Sequence, residues 1–295
     1  FIQDDAFISF RYAENFAHGH GLIWNIGDAE PVEGYTNFVW TLLMVPAVYL
    51  EIDLVIWSKI FGLLFGVGTF IFTFLVSFKI TTSKSAALLS IFLLGTHFSF
   101  SSYITSGLET QLQAFLFTVS IYISLVLLRF NQNTKKSWML YLVLSLLFSL
   151  AIMTRLDSVL IYAVLLPVLA YSIVTGESKA SAKLKNIFFL KIPGALIIII
   201  WLHTKYLYYG DILPNTYYIK SADNTSLNRG ISYLSLFFVS YGLLPFFLLG
   251  ACYIKIAPWH SKPYIMLLII IILIWVAYTL KVSGDFMEFR FLVPI

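Results

Sequence analysis

A series of long apolar segments with almost no charged residues constrains this chain more than any other feature. Each segment has roughly 17 to 24 residues, and a helix of about 20 apolar residues crosses the ~30 Å hydrocarbon core of a bilayer. Only 12% of all residues are charged, against roughly 25% in ordinary soluble domains. The apolar runs are continuous rather than alternating, which argues against transmembrane strands. The sequence therefore predicts an all-α, polytopic membrane protein.

The predicted domain organisation is a first loop followed by a transmembrane bundle. Residues 1–56 form the loop and residues 57–295 the bundle, with about eight complete spans and the start of another near Phe291. The predicted spans are 57–78, 85–104, 110–128, 137–153, 157–174, 187–204, 231–254 and 264–280. The chain starts without Met and ends in a new apolar run, so we expect it to be a fragment of a longer protein.

Segment 36–50 is apolar but ambiguous, because it has only about 15 residues and contains Pro46. That length favours a re-entrant or interfacial helix over a full span. If it does not cross, the short loops of one side hold 11 of the 19 Lys and Arg with one acid, Glu177, and the other side holds 14 of the 15 acids. The positive-inside rule makes the lysine-rich side cytoplasmic. The remaining polar motifs are then predicted to share the outer face.

The opening stretch, "DDAFISFRYAENFAHGHGLIWN" (residues 4–25), predicts an amphipathic helix at the membrane surface. Asp4 or Asp5 can cap its N-terminus, where the helix dipole favours a carboxylate. Gly19 and Gly21 predict its end. Two acids at the edge of a hydrophobic protein indicate a function, since unneeded charges are disfavoured there. A solvated helix cap is the plain structural alternative.

Four further motifs place polar residues between the predicted spans on the outer face. They are "SGLET" (106–110), "TRLD" (154–157), "YYGDILPNTYYIK" (208–220) and "SGDFMEFR" (283–290). Glu109 can be a simple helix-start residue, and Arg155 can form a local ion pair with Asp157. The functional alternative for Arg155 is phosphate binding, because a guanidinium forks onto phosphate oxygens. Aromatic rings beside Asn215 and Lys220 suit a sugar-phosphate surface.

Other classes of site find little support in the sequence. Cys252 is the single cysteine, which excludes disulfides and cysteine-based metal centres within this chain. His18, His20 and His203 show no metal-binding spacing, so each is a weak ligand candidate. The net charge of +4 is small and forms no basic stripe, so no nucleic-acid partner is expected.

These motifs, with "EPVEGYTNFVW" after the opening stretch, resemble the polyprenyl-phosphate-dependent GT-C glycosyltransferases of the terminal arabinofuranosyltransferase type. The resemblance runs in order from residue 4 to residue 294, although Leu156 and Ser158 replace a proline and a glycine of the expected pattern. It implies a GT-C-type helical bundle with interfacial helices in its first outer loop. It also implies the bacterial cytoplasmic membrane as location, with the active site on the outer face.

The resemblance further implies a reaction. A polyprenyl-phosphate-linked sugar, arabinofuranose or another pentose or hexose, passes to a hydroxyl of a cell-surface glycan or glycolipid. A carboxylate accepts the proton of that hydroxyl, and one-step displacement inverts the anomeric centre. Asp4 is the expected base and Asp5 its support. The residues expected to bind the donor sugar or phosphate are Arg11, Glu109, Arg155, Tyr209, Asn215, Tyr217, Lys220, Asp285 and Arg290. The resemblance implies no certain cofactor, and whether a divalent metal takes part stays open.

Two other functions share these membrane features. A ligase or polymerase of lipid-linked glycans would use similar substrates but would not need the opening pair of aspartates. A lipid transporter would carry ionisable residues inside its spans. The predicted spans contain almost none, and Lys59 lies near the end of its span. The sequence therefore favours glycosyl transfer.

Overall fold

A computed structural model describes residues 1–27, 30–129, 137–222, 226–243, 245–246, 250, 253–255, 257–285 and 287–294. Every regular element in these ranges is helical. The helices are α1 (Ala6–Ala17), α2 (Phe38–Tyr49), α3 (Leu54–Thr81), α4 (Lys84–Thr96), α5 (Phe98–Tyr103), α6 (Thr110–Arg129), α7 (Ser137–Thr154), α8 (Val159–Thr175), α9 (Ala180–Tyr209), α10 (Asn215–Ala222), α11 (Leu227–Ser240) and α12 (Lys262–Lys281). Short 3-10 turns cover Leu156–Ser158, Trp259–Ser261 and Arg290–Leu292.

Six helical segments among the described residues are long and apolar enough to cross a bilayer. They are Leu54–Thr81, Thr110–Arg129, Ser137–Thr154, Leu156–Thr175, Ala180–Tyr209 and Trp259–Lys281. Their outward faces are apolar, as Leu64 and Ile71 show by being more than half exposed. Such a surface suits lipid and not water. The chain is a polytopic, all-helical membrane protein, which confirms the coarse fold prediction.

Two predicted spans differ in the structure. Segment 85–104 is split into α4 and α5 at His97, whose ring nitrogen accepts the Phe100 N–H at 3.4 Å and so starts a new helix. The His97 ring also stacks on Tyr241, at 3.9 Å between centroids. An apolar count cannot detect such a break, because it depends on a local cap. Segment 231–254 starts within α11, and much of its second half lies outside the described residues.

Close approach between helices rests on small residues. The N–H of Gly194 in α9 donates to the Ser145 hydroxyl of α7 at 2.8 Å, and a Cβ on this glycine would overlap the backbone oxygen of Ser145. Gly62 of α3 lies equally close to the carbonyl oxygen of Ile104. Small residues let membrane helices pack backbone to backbone. These contacts hold α7 against α9, and α3 against the segment that follows α5.

The loops divide between the two ends of the bundle. At one end Arg129 donates to the carbonyl of Lys79 at 2.5 Å, and Ser261 donates to the carbonyl of Ile80 at 2.9 Å. These loops belong to the lysine-rich set. The acid-rich motifs meet at the other end, as described below. The helix α2 has 12 residues, about 18 Å at 1.5 Å per residue, which is too short to cross a bilayer.

Candidate functional site

The site is built around Glu109, which stands directly before α6. A tight turn brings it there, with Gly107 at a φ of +79°. A side chain at Gly107 would overlap Ile2, and the Gly107 carbonyl accepts the indole N–H of Trp40 at 2.9 Å. The turn is therefore packed between the start of the chain and α2. As a result the Glu109 carboxylate points into protein and is fully buried.

Three donors from distant parts of the chain hold the Glu109 carboxylate. Arg155 and Arg290 contact its Oε1 at 3.0 Å and 2.5 Å, and the Asn37 amide donates to its Oε2 at 2.9 Å. Burial raises the pKa of Glu109, but Arg290, Arg155 and Asn37 together lower it more, to about 2. The carboxylate is therefore ionised at neutral pH. A buried charge needs such partners to offset its desolvation.

Arg155 is fully engaged with acids. Its Nη2 lies 2.7 Å from Asp157 Oδ2, its Nε donates to the same carboxylate at 3.1 Å, and its Nη1 contacts Glu109. Burial lowers the pKa of Arg155, but Asp157 and Glu109 outweigh it and raise the pKa above its usual value. The local ion pair considered from the sequence is present. The phosphate-binding role stays a prediction, and two carboxylates already balance this guanidinium.

Arg290 connects Glu109 to the start of α1. It follows Phe289, a non-glycine residue with a φ of +45°, and this turn directs the arginine into the protein. Besides Glu109, its guanidinium reaches Asp5, with 4.0 Å between Nη1 and Oδ2. Three successive contacts of 4.0, 2.5 and 3.0 Å therefore join Asp5, Arg290, Glu109 and Arg155. We call these four residues the carboxylate–arginine cluster.

The two opening aspartates differ in their surroundings. Asp4 is exposed, and its Oδ1 accepts the backbone N–H of Asp5 at 3.0 Å. The Asp5 side chain is 37% exposed and faces Arg290. The helix α1 starts at Ala6 and ends at Ala17, and the glycine that follows at position 19 has a φ of +83°. The predicted helix is thus present, and Asp5 is the aspartate that belongs to the cluster.

A second buried ion pair, missed by the sequence analysis, lies at the same end. Glu33 of the first loop and Lys205 of α9 meet at 2.8 Å, with side chains only 4% and 5% exposed. The Lys205 ammonium also lies 4.9 Å from the centre of the Trp201 ring. Burial raises the pKa of Glu33, Lys205 lowers it, and the net shift is upward. Lys205 lies one residue beyond the predicted span 187–204. In the sequence, only the neighbouring tyrosines could have indicated that this lysine belongs to a polar site.

Tyrosines surround this second pair and tie it to α1. The Tyr12 hydroxyl donates to the Val32 carbonyl at 2.6 Å and accepts the Gly34 N–H at 2.8 Å. Tyr209 donates to the carbonyl of Leu22 at 2.7 Å. Burial raises the pKa of Tyr12, so its hydroxyl is neutral and can serve as both donor and acceptor. The first loop is therefore hydrogen-bonded on both sides of Glu33.

The remaining predicted site residues lie outside the carboxylate–arginine cluster. Tyr209 and Asn215 belong with the second pair, since the Asn215 N–H donates to the Glu33 carbonyl at 3.1 Å. Arg11 is exposed and donates to the Trp24 carbonyl at 3.4 Å. Tyr217 is 52% exposed, and Asp285 is partly buried. The side chain of Lys220 lies outside the described part of the chain.

Two other kinds of site, a metal centre and an apolar groove, can be compared with the acid-rich end. In the described ranges, no group of three or more His, Cys, Asp or Glu is arranged to hold a metal ion. A groove of about 610 Å³ lies on α9 at the lysine-rich end, lined by apolar side chains with Lys185 and Lys191. Its apolar lining suits lipid. The chemistry of polar groups is therefore concentrated at the acid-rich end.

Comparison of the chain with protein-family models, with curated proteins and with solved structures finds no match. The acid-rich end has three parts: an accessible carboxylate at Asp5, the guanidinium groups of Arg155 and Arg290 on the buried Glu109, and a first loop fixed to α9 by Glu33 and Lys205.

Proposed function

We propose that the protein is a GT-C-type membrane glycosyltransferase. It moves a sugar from a polyprenyl-phosphate donor to a hydroxyl of a glycan or glycolipid on the outer face of the bacterial cytoplasmic membrane. The observation that carries the proposal is the carboxylate–arginine cluster, in which the partly exposed Asp5 adjoins buried Arg290 and Glu109 at one end of a membrane bundle. The phosphate of a lipid-linked donor lies at the membrane surface, where the ends of membrane-spanning helices also lie.

The chemistry requires a carboxylate and a cation in one site, the carboxylate for the acceptor hydroxyl and the cation for the departing phosphate. The acceptor hydroxyl attacks the anomeric carbon, the bond from that carbon to the phosphate oxygen breaks, and the hydroxyl proton passes to a carboxylate. Negative charge grows on the departing lipid phosphate, and a positioned guanidinium stabilises it. Asp5 and Arg290 supply a carboxylate and a guanidinium at the same end of the bundle, with 4.0 Å between Oδ2 and Nη1. Within the proposal Asp5 is the base, whereas Asp4 supports it by holding the Asp5 N–H.

This assignment exchanges the roles expected from the sequence. Asp4 is the more exposed of the two and its carboxylate is used to hold the chain at residue 5. Asp5 faces a fixed cation and keeps more than a third of its side chain open to solvent. A base must reach the hydroxyl proton at hydrogen-bond distance from a fixed position. Asp5 meets this requirement better than Asp4 does.

The test uses the full-length protein in vesicles with a short-chain polyprenyl-phosphate sugar and a soluble acceptor. We expect Asp5→Asn to lower the transfer rate by about 10²–10⁴-fold, with little change in melting temperature. Glu14→Gln, on the same helix, is the matched control and is expected to retain activity. Full activity of Asp5→Asn together with loss in Asp4→Asn would return the base to Asp4. Full activity of both variants would overturn the mechanism.

A further inference from the structure

Glu33 and Lys205 form the most deeply buried ion pair outside the carboxylate–arginine cluster in the described ranges. Neither residue has a part in the proposed chemistry. Lys205 lies on α9, which is packed against α7 and belongs to the fixed bundle. Glu33 lies on an irregular part of the first loop. The pair therefore joins a rigid element to a segment that has no helix of its own.

The contacts of the loop continue directly into α1. Val32 and Gly34, the neighbours of Glu33, both bond to the hydroxyl of the fully buried Tyr12. Tyr12 is two helical turns from Asp5 on α1. These two hydrogen bonds thus fix the loop to α1 at the residues on either side of Glu33.

A second connection runs along the same loop. Asn37, four residues after Glu33, donates to the Ser9 hydroxyl of α1 at 3.0 Å and to Glu109 at 2.9 Å. The Ser9 hydroxyl donates back to the Asn37 side-chain oxygen at 3.1 Å. Fixing Glu33 therefore limits where Asn37 can lie. Asn37 in turn aligns α1 with the buried carboxylate of the cluster.

We propose that the Glu33–Lys205 pair is a latch that positions α1, and with it Asp5, against Arg290 of the carboxylate–arginine cluster. The functional part of this inference rests on the proposed glycosyl transfer; the structural part does not. Lys205 and Glu33 touch no reacting group and act through Tyr12 and Asn37. Removing one partner leaves a buried charge unpaired, which is strongly unfavourable. The loop then separates from α9, and α1 loses its fixed position relative to the bundle.

The first experiment measures the position of α1 without any activity assay. All native cysteines of the full-length protein, including Cys252, are replaced by serine, and a single cysteine is introduced as Ala13→Cys on α1 or as Ala151→Cys on α7. Both alanines are fully buried. Labelling by a membrane-impermeant maleimide reports the opening of each. We expect Glu33→Gln and Lys205→Met to speed labelling at position 13 at least tenfold and to leave position 151 protected.

Two further variants make the result specific. The exchange Glu33→Lys with Lys205→Glu restores opposite charges and is expected to restore much of the protection at position 13. Glu30→Gln, an exposed acid three residues before Glu33, is expected to have no effect. Unchanged labelling at position 13 in Lys205→Met would overturn the latch. Equal labelling at positions 13 and 151 would also overturn it, since the pair would then support the whole bundle.

The second experiment measures transfer in the same variants. The latch predicts that kcat falls by a larger factor than KM for the lipid donor rises, because α1 carries the proposed base whereas Arg290, the proposed partner of the phosphate, lies outside α1. The charge exchange is expected to recover kcat in part. Absence of transfer activity in the unmodified protein would count against the proposed function, and the labelling result would then decide the latch by itself. Unchanged kcat despite faster labelling at position 13 would overturn the positioning role.

Discussion

The side-chain amide of Asn37 donates to the buried carboxylate of Glu109 at 2.9 Å. This bond links the first loop to the start of α6, and both arginines of the cluster contact the same carboxylate. Glu109 therefore connects four separate parts of the chain: the loop before α2, the turn after α7, the α6 start and the turn at residue 290. Loss of Glu109 is therefore expected to lower the stability of the protein as well as its proposed activity.

Replacement of Glu109 by glutamine is expected to destabilise the protein by about 3–5 kcal/mol, because removing one partner leaves buried arginines without their counter-charge. Arg290 should be affected most, since Arg155 retains Asp157. Denaturant or thermal unfolding in detergent measures the effect. Glu177→Gln, an exposed acid at the opposite end, is the control and should change stability by less than about 0.5 kcal/mol. Similar small effects for both variants would contradict the buried network.

The same carboxylate predicts acid sensitivity. The pKa of Glu109 is lowered from its ordinary 4.5 to about 2 in the folded protein. A depressed carboxylate contributes stability above the ordinary pKa and loses it as the pH falls toward the folded pKa. We therefore expect the melting temperature to fall between about pH 4.5 and pH 2, and to fall less in Glu109→Gln. Identical pH slopes in the two proteins would show that Glu109 is not the responsible group.

The Tyr12 hydroxyl is expected to matter because it is buried and makes two hydrogen bonds to the loop. Tyr12→Phe keeps the ring and leaves the Gly34 N–H and the Val32 carbonyl without this partner, at a cost of about 1–3 kcal/mol. Tyr49→Phe, at a side chain 67% exposed, is the matched control. Unfolding in detergent and protease cleavage within the first loop measure the difference. Equal stability of the two variants would count against a fixed loop.

Close packing of α7 and α9 gives a further prediction. Gly194→Ala places a methyl group against the Ser145 backbone, which cannot move without shifting α7. Overpacking of this kind costs about 1–3 kcal/mol, so we expect a lower melting temperature. Gly95→Ala is the control, because its nearest neighbour is the Phe70 ring at an ordinary 3.6 Å. A neutral Gly194→Ala variant would show that the two helices are less tightly packed.

The sidedness of the bundle is tested by labelling single cysteines from outside intact cells. Charge placement predicts that a cysteine at Asn25, in the first loop, reacts and that one at Ser181, at the start of α9, does not. Permeabilised cells provide the control, because both cysteines should then react. Labelling at position 181 alone in intact cells would reverse the orientation and place the acid-rich end in the cytoplasm.

The sequence alone predicted the features that depend on local composition. The long apolar helices, the short α2 and the helix after the opening aspartates follow from apolar length and capping residues, which act within a few turns. The break at His97 was missed because one cap and one stacked tyrosine decide it. The Glu33–Lys205 pair was missed because its members are far apart in sequence. Such groups come together only in the tertiary structure, so the periodicity of the sequence cannot reveal their contact.

The contact between Arg290 and Glu109 has a consequence for the synthesis of the protein. The two residues are separated by 181 positions, and chains are extended at about 5–20 residues per second. Glu109 therefore spends roughly 10–35 s in the growing chain before its closest counter-charge has been made. Of the two arginines that contact Glu109, Arg155 is made first, because it follows Glu109 by only 46 positions. It can therefore pair with the carboxylate during this interval. The acid-rich end is thus completed late, after the helices that carry it have been synthesised.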